Sequence, residues 1–170
     1  MAVLRTHATA GLRSEAVYSP CGTWRYRLSR TWDESGSRAA LVLLNPSTAT
    51  EAANDPTVAR VERFARDWGH GGFDLMNLFA FRATRPADLI AAAEPVGPET
   101  DALLCALAPG RPVICGWGRH GRHAGRGPAV EGILRRAGMS LMALAVNADG
   151  SPRHPLYLPA GLVPRPWAGG

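Results

Sequence analysis

Short apolar runs alternate with stretches of helical periodicity along most of the chain. Four of the runs are almost continuously apolar, which is typical of strands buried on both faces. These runs cover residues 39–44, 73–79, 112–117 and 141–146. Residues 24–28 instead alternate apolar side chains with arginines, which predicts a strand with one buried face near a sheet edge.

Helical stretches separate the four apolar runs. Asp55 and Pro56 form an N-cap followed by a first-turn proline, and apolar residues then recur at helical spacing until Gly69. Further helices are predicted over residues 86–93, 98–107 and 128–137. Because buried strands alternate with helices, we expect an α/β fold. We expect a three-layer α/β/α domain on a mostly parallel four-stranded central sheet, with an additional N-terminal edge strand.

The length of 170 residues suits a single domain, since about 100–200 residues usually form one. We place that domain over residues 16–160, between a flexible N-terminal tail, residues 1–15, and an extended C-terminal tail, residues 161–170. The composition is 46% hydrophobic and 19% charged, which argues against disorder. No apolar run approaches the roughly 18 residues of a membrane span, so no membrane partner is expected.

Three scattered cysteines, Cys21, Cys105 and Cys115, are too few for a disulfide framework, a CxxC zinc site or a four-thiolate iron–sulfur cluster. A reducing, cytoplasmic location is therefore expected. The chain also lacks GxSxG and HExxH, which disfavours serine hydrolases and zinc enzymes. We expect a site that uses no metal and no cofactor.

All 19 basic side chains other than histidine are arginines, and the net charge is +5. Arginine forms bidentate contacts with phosphates and bases, which favours a nucleic-acid partner. A GC-rich genome would also replace lysine by arginine, and composition alone slightly favours that explanation. Position adds modest support for phosphate binding, because six arginines follow predicted strand ends. They are Arg82, Arg85, Arg119, Arg122, Arg126 and Arg153.

Polar residues follow all four buried strands. Ligands of parallel α/β sheets bind outside the carboxyl ends of the strands, so these residues are the first candidates for a binding site. The segments at these strand ends contain Asn45, Pro46, Ser47 and Thr48 after the first strand, Asn77, Phe79 and Arg82 at the second, Trp117, Arg119 and His120 after the third, and residues 147–154 after the fourth.

Each of the main candidates also has a purely structural explanation. The amide of Asn45 could orient a water or read a ligand, but Asn45 and Ser47 also suit a simple turn. Asn77 could read a base edge while Phe79 stacks on the base, or it could be a core amide bonded to a neighbouring loop. His154 could donate a hydrogen bond to an oxygen that gains charge during a reaction, whereas a lone surface histidine is usually inert.

Residues 117–127, with the sequence WGRHGRHAGRG, contain three arginines, two histidines and four glycines ahead of a predicted helix. Backbone amides, a helix N-terminus and guanidinium groups together make a candidate phosphate site. No GKS or GKT follows the glycines, so the segment is not a Walker loop. The alternative for Arg122, His123 and Arg126 is a mobile basic surface loop.

Three longer motifs resemble a widespread bacterial domain family of unknown function. They are LVLLNPSTA, DPTVARVERFARDWGHGGFDLMNLFAFRATRP and DGSPRHPLYLP, and the resemblance covers Trp24 to about Pro159. The same motifs are similar, more distantly, to the uracil-DNA glycosylase superfamily, and this implies the fold of that superfamily. LLNPS, MNLFAFRAT, ICGWG and RHPLY follow its order of water-positioning loop, base-reading strand end, phosphate-contacting strand end and HPSP-type loop.

This resemblance implies a role for each candidate. Asn45 would orient the attacking water, Asn77 would read the base, and His154 would stabilise the departing base, while Leu156 or Tyr157 fills the gap left in the stack. Substrate contacts would also come from Pro46, Ser47, Phe79 and Trp117, and contacts with nucleic acid from Thr48, Arg82, Arg119, His120, Arg122 and Arg153. The chain lacks the aspartate of the GQDPY form, and Ser47 and Leu156 replace a glycine and a serine of the superfamily motifs.

The leading hypothesis is a metal-free N-glycosidic hydrolase that removes a modified or mismatched base from DNA by base flipping and water attack, with Asn45 and His154 as the catalytic pair. The motif departures leave the identity of the base open. One alternative is a non-catalytic module that binds nucleic acid or nucleotides in the same cleft. A third hypothesis is an enzyme that acts on a free nucleoside or nucleotide derivative.

Overall fold

The protein forms one eight-stranded mixed sheet, and the computed structural model describes all of its residues, Met1–Gly170. The strands are β1 (Val3–Thr9), β2 (Leu12–Tyr18), β3 (Arg25–Thr31), β4 (Arg38–Leu43), β5 (Gly72–Asn77), β6 (Pro112–Cys115), β7 (Ser140–Ala143) and β8 (Arg165–Pro166). They lie in the order β1-β2-β3-β5-β4-β6-β7-β8. The pairs β4/β5, β4/β6 and β6/β7 are parallel, and the remaining pairs are antiparallel. The mixed α/β class is confirmed, but the sheet is larger than predicted.

Helices cover both faces of the central strands. The helices are α1 (Pro56–Asp67), α2 (Pro86–Ala91), α3 (Thr100–Cys105) and α4 (Arg126–Arg136). On one face Val58 and Phe64 of α1 pack with Leu41 and Leu43 of β4, and on the other face α2, α3 and α4 pack with Val42. Burial on both faces explains why these strands are almost continuously apolar in sequence. No helix is both long enough and apolar enough to cross a membrane.

The N-terminal part of the sheet differs from the prediction. The segment predicted as an edge strand belongs to β3, which lies between β2 and β5, so that prediction is wrong. Residues 1–15, which the sequence analysis assigns to a tail, contain β1 and the start of β2. Every residue of β1 is exposed, and no hydrophobic pattern therefore marks it in the sequence. The hairpin that β1 and β2 form explains why β3 is interior.

The last ten residues are also tied to the sheet. Residues 161–170 are predicted to form an extended tail, but they contain β8, which pairs antiparallel with β7. Trp167 is buried and packs edge-on against Trp117, with 5.4 Å between the ring centroids. This contact supports Trp117, which belongs to the loop that follows β6.

Candidate functional site

A cavity of about 620 Å³, which we call the cleft, lies beyond the carboxyl ends of β4 and β6. Its walls come from the loop after β4, the start of α1, the loop before α2, the loop after β6 and the segment 153–157. The cleft brings together ten of the residues predicted from the sequence. They are Asn45, Ser47, Thr48, Trp117, Arg119, His120, Arg153, His154, Leu156 and Tyr157.

Five other predicted residues lie outside the lining of the cleft. Pro46, Asn77 and Phe79 are buried. Arg82 lines a neighbouring cavity, and Arg122 lines a smaller one of about 210 Å³ on the far side of Trp117. The fold therefore groups Asn45 with His154 but does not bring Asn77 into the same cavity.

The Asn45 side chain is held in one orientation. Its Nδ2 donates hydrogen bonds to the carbonyl oxygens of Pro46 at 3.0 Å and Ala83 at 2.9 Å. Both amide hydrogens are therefore used, and a flipped amide would place its oxygen against two carbonyl oxygens. The Oδ1 atom is left as the acceptor that Asn45 offers to the cleft.

Residues 152–157, which we call the histidine segment, pack on the end of β6 through glycines. The Gly118 N–H donates to the Pro152 carbonyl oxygen at 2.8 Å. A Cβ atom on Gly116 would lie 2.9 Å from Cδ2 of Leu43 and 3.2 Å from Cδ of Pro155. Only glycine at position 116 lets the chain beside His154 pack this closely on β6. The end of β6 therefore determines where His154 lies.

His154 is a neutral hydrogen-bond donor in this setting. Its Nδ1 accepts a hydrogen bond from the Leu156 N–H at 3.3 Å, which assigns the ring proton to Nε2. Burial lowers the pKa of His154 to about 4, and the carboxylate of Asp55 opposes that shift. Near neutral pH the imidazole can thus donate a hydrogen bond through Nε2 without carrying a charge.

Asp55 is a cleft residue that the sequence analysis missed. It was predicted only as the cap of α1, and its Oδ1 does accept the Val58 N–H at 2.8 Å. Its Oδ2 accepts the Ala49 N–H at 3.2 Å, and the carboxylate also lines the cleft. The sequence could not show this second role, because it depends on the loop from Asn45 folding back over the helix start. Thr57 and Thr84 are further lining residues that were not predicted from the sequence.

Two buried arginines of β3 hold that loop in place. Nη1 of Arg25 donates to the Ala49 carbonyl oxygen at 2.8 Å, and Nη2 of Arg30 donates to the Thr50 carbonyl oxygen at 2.6 Å. Each side chain is only 2% exposed, and burial lowers the pKa of Arg25 to about 10. The alternating pattern of residues 24–28 suggested that Arg25 faces solvent. Its side chain instead fastens the loop between Asn45 and Asp55.

The basic segment after β6 contributes less positive charge to the cleft than expected. It forms a 3₁₀ segment, Arg119–Gly125, that leads into α4. Arg122 pairs with Asp149 at 3.2 Å, and Arg119 approaches the same carboxylate at 4.0 Å. Arg126 is buried and donates through Nε to the Leu78 carbonyl oxygen at 2.8 Å, so its role is structural. Of this segment's arginines and histidines, only Arg119 and His120 line the cleft.

No group of three histidine, cysteine, aspartate or glutamate side chains is arranged to hold a metal ion. Neither the curated proteins nor the solved structures include a significant match to the chain. A match to the family described as "protein of unknown function (DUF1643)" covers residues 25–156, which include every lining residue of the cleft except Tyr157. The chain therefore belongs to the DUF1643 family.

Proposed function

We propose that the cleft takes up a nucleobase flipped out of DNA and hydrolyses its N-glycosidic bond. The observation that carries this proposal is the placement of the Asn45 Oδ1 acceptor and the neutral His154 imidazole in one cavity. The order of the motifs along the chain, which resembles that of the uracil-DNA glycosylase superfamily, supports the same conclusion. In this proposal Asn77 does not contact the ligand, because it is buried and does not line the cleft.

His154 would act on the leaving group. As the C1′–N bond breaks, its electron pair leaves with the base, and negative charge develops on the base's carbonyl oxygen. The Nε2–H of His154 would donate a hydrogen bond to that oxygen, a type of stabilisation that is strongest in a buried site. Since the ring has its proton on Nε2 and a pKa of about 4, it needs no change of protonation state before the reaction.

Asn45 and Asp55 would act on the water. Oδ1 of Asn45 would accept a hydrogen bond from the water and aim its oxygen at C1′, where the new C–O bond forms. The carboxylate of Asp55 would stabilise the positive charge that develops on the sugar and would take the proton that the water releases. Asp55 then releases that proton to solvent and the departed base takes one up from solvent, which completes the hydrolysis.

The rim of the cleft suits a nucleic-acid chain. Arg119 and Arg153 are exposed and line the cleft, where they could contact phosphates. Tyr157 is 84% exposed at the same rim, although a ring of this size is usually at least partly covered. An exposed aromatic ring beside a base pocket is placed to stack on the bases next to the flipped nucleotide.

Base release from modified oligonucleotides tests the proposal. Single-stranded and duplex oligonucleotides carrying uracil, hypoxanthine, thymine mismatches or modified pyrimidines would be incubated with the protein and then cleaved with alkali at abasic sites. We expect cleavage at one type of base, and its loss in Asn45→Ala and His154→Ala. Arg111→Gln, at the opposite end of the sheet, should retain cleavage.

Two other outcomes would replace the proposal. Salt-sensitive binding without abasic product across the whole panel would favour the non-catalytic binding module, because each phosphate contact with duplex DNA adds about −0.9 to the log–log salt slope. Neither binding nor cleavage of oligonucleotides would favour an enzyme that acts on a free nucleoside or nucleotide.

A further inference from the structure

A second cavity of about 620 Å³, which we call the adjacent cavity, opens beside the cleft. The two cavities share Ser47, Thr48, Ala83 and Thr84 in their linings. The backbones of the two loops that form this common wall are bonded to each other, with the Ala83 N–H donating to the Pro46 carbonyl oxygen at 3.0 Å. The wall is therefore a preformed ridge, and a chain that crosses it would occupy both cavities.

The far side of the adjacent cavity carries an aromatic ring and a cation. Phe81 and Arg82 line it together with Thr23 and Asp88. The guanidinium of Arg82 lies 5.4 Å from the centre of the Tyr18 ring, and its Nη1 lies 3.4 Å from the Gly22 carbonyl oxygen. The carboxylate of Asp88 is already bound by Arg85, at 3.0 Å, so Arg82 keeps its charge available for a ligand.

Phe81 and Arg82 are fixed by backbone contacts on both sides. The Phe81 N–H donates to the Pro95 carbonyl oxygen at 3.0 Å, and the Arg82 N–H donates to the Thr23 carbonyl oxygen at 3.2 Å. Phe81 also forms an isolated antiparallel bridge with Trp24. Because both residues are held, a ligand could bind them without first ordering the loop.

We propose that the adjacent cavity binds the neighbouring nucleotide of a single DNA strand, with its base stacked on Phe81 and its phosphate facing Arg82. The inference rests on the proposed binding of a base in the cleft. Stacking on Phe81 requires a second unpaired base beside the flipped one, so a single strand fits the two cavities better than a duplex does. A free nucleotide would fill only one of them.

Binding of an octamer of thymidine, (dT)8, tests this inference in the full chain. We expect (dT)8 to bind at least tenfold more tightly than a duplex of equal length or thymidine monophosphate. Phe81→Leu should weaken (dT)8 binding about tenfold, in line with the usual worth of base–aromatic stacking, and leave thymidine monophosphate unaffected. Arg82→Gln should make the salt slope shallower by about 0.7, which corresponds to one single-strand phosphate.

Arg111→Gln is the matched control, because Arg111 is exposed before β6 at the other end of the sheet. It should leave both the affinity and the salt slope unchanged, and far-ultraviolet circular dichroism should show all variants folded. Wild-type affinity for (dT)8 in both Phe81→Leu and Arg82→Gln would overturn the inference, as would tighter binding of the duplex.

The two proposals fail in different ways. If Phe81→Leu and Arg82→Gln both leave base release and (dT)8 binding unchanged, that result would contradict nucleotide binding in the adjacent cavity. It would leave the glycosidic hydrolase proposal intact. If (dT)8 binding depends on Phe81 and Arg82 but no oligonucleotide releases its base, the hydrolase proposal is contradicted. The adjacent cavity would then still be a strand-binding site.

Discussion

Two asparagines at the ends of neighbouring parallel strands have opposite surroundings. Asn45 lies two residues beyond β4, fixes its Nδ2 on two carbonyl oxygens and lines the cleft. Asn77 is the last residue of β5, is 3% exposed and leaves its Oδ1 without a hydrogen-bond partner. The residue type is the same, and only one of the two side chains can reach a ligand.

The difference comes from where each strand stops pairing. Asn77 lies opposite Leu43, and the chain after it continues along β4, with the Leu78 N–H bonded to the Leu43 carbonyl oxygen at 2.8 Å and the Phe79 N–H to that of Leu44 at 3.0 Å. Asn77 therefore remains inside the sheet. Asn45 follows Leu44 and is the first polar side chain clear of that pairing. Whether an asparagine lies before or after the last hydrogen bond between the two strands decides whether it can face a ligand. The residue type does not.

The largest expected effect is on base release. Asn45→Leu should lower the rate by about 10²–10³-fold, the usual loss when one polar group that acts on the transition state is removed. Asn77→Leu should change the rate less than about threefold, because its side chain does not line the cleft. Initial rates of abasic-site formation measure both. Equal losses in the two variants would contradict the difference between the two asparagines and return Asn77 to the role of base reader.

The next largest effect is a pH dependence of the unfolding free energy, which arises from His154 in the cleft. The pKa of His154 is about 4 in the folded protein, below the ordinary value of about 6.5, so the unfolded chain takes up its proton first as the pH falls. The unfolding free energy should therefore drop by up to about 3 kcal/mol between pH 6.5 and 4. Above about pH 7, His154 should add no further pH dependence to it. Urea unfolding at several pH values measures it.

His154→Asn serves as the reference for that measurement, because other groups also titrate in the acidic range. The difference in unfolding free energy between the wild type and His154→Asn should shrink as the pH is lowered. A constant difference from pH 7 to 4 would show that the imidazole is not held neutral by burial.

A smaller effect is expected where the histidine segment docks. Gly116→Ala should destabilise the protein by about 1–3 kcal/mol, since its Cβ would press on Leu43 and Pro155. Gly132→Ala in α4 is the control, because only the movable end of Arg136 approaches there, and alanine favours a helix by about 1 kcal/mol. Thermal unfolding should separate the two, and a Gly116→Ala variant as stable as the wild type would contradict the docking.

The smallest effect concerns the unpartnered oxygen of Asn77. Asn77→Leu should raise the unfolding free energy by about 1 kcal/mol, because an apolar side chain of similar size removes a buried acceptor that has no partner. Asn45→Leu should instead lower it by about 1 kcal/mol, since it loses two hydrogen bonds. Denaturant unfolding of both variants measures this difference, and a loss of stability in Asn77→Leu would mean that its amide is satisfied.

The fold could be predicted where local sequence signals agree with the burial of the residues. Asp55 and Pro56 predicted the start of α1, and the apolar runs predicted β4 to β7, because a buried strand must be apolar on both faces. β1 gave no signal, since all of its residues are exposed. Arg25 gave a misleading one, because a buried arginine depends on a carbonyl oxygen that a distant loop supplies.

The site was predictable as a set of strand ends but not in detail. The carboxyl-end rule selected Asn45, Trp117 and His154, and all three line the cleft. It also selected Asn77 and Phe79, because sequence does not show how far β5 continues to pair with β4. Asp55 was missed because its capping role alone accounts for it in the sequence.

Free base, measured by mass spectrometry after incubation of the wild-type protein with the oligonucleotide panel, tests the central claim most directly. We expect one type of oligonucleotide to release free base in a one-to-one ratio with the abasic strand. Release of no free base from any member of the panel would contradict it.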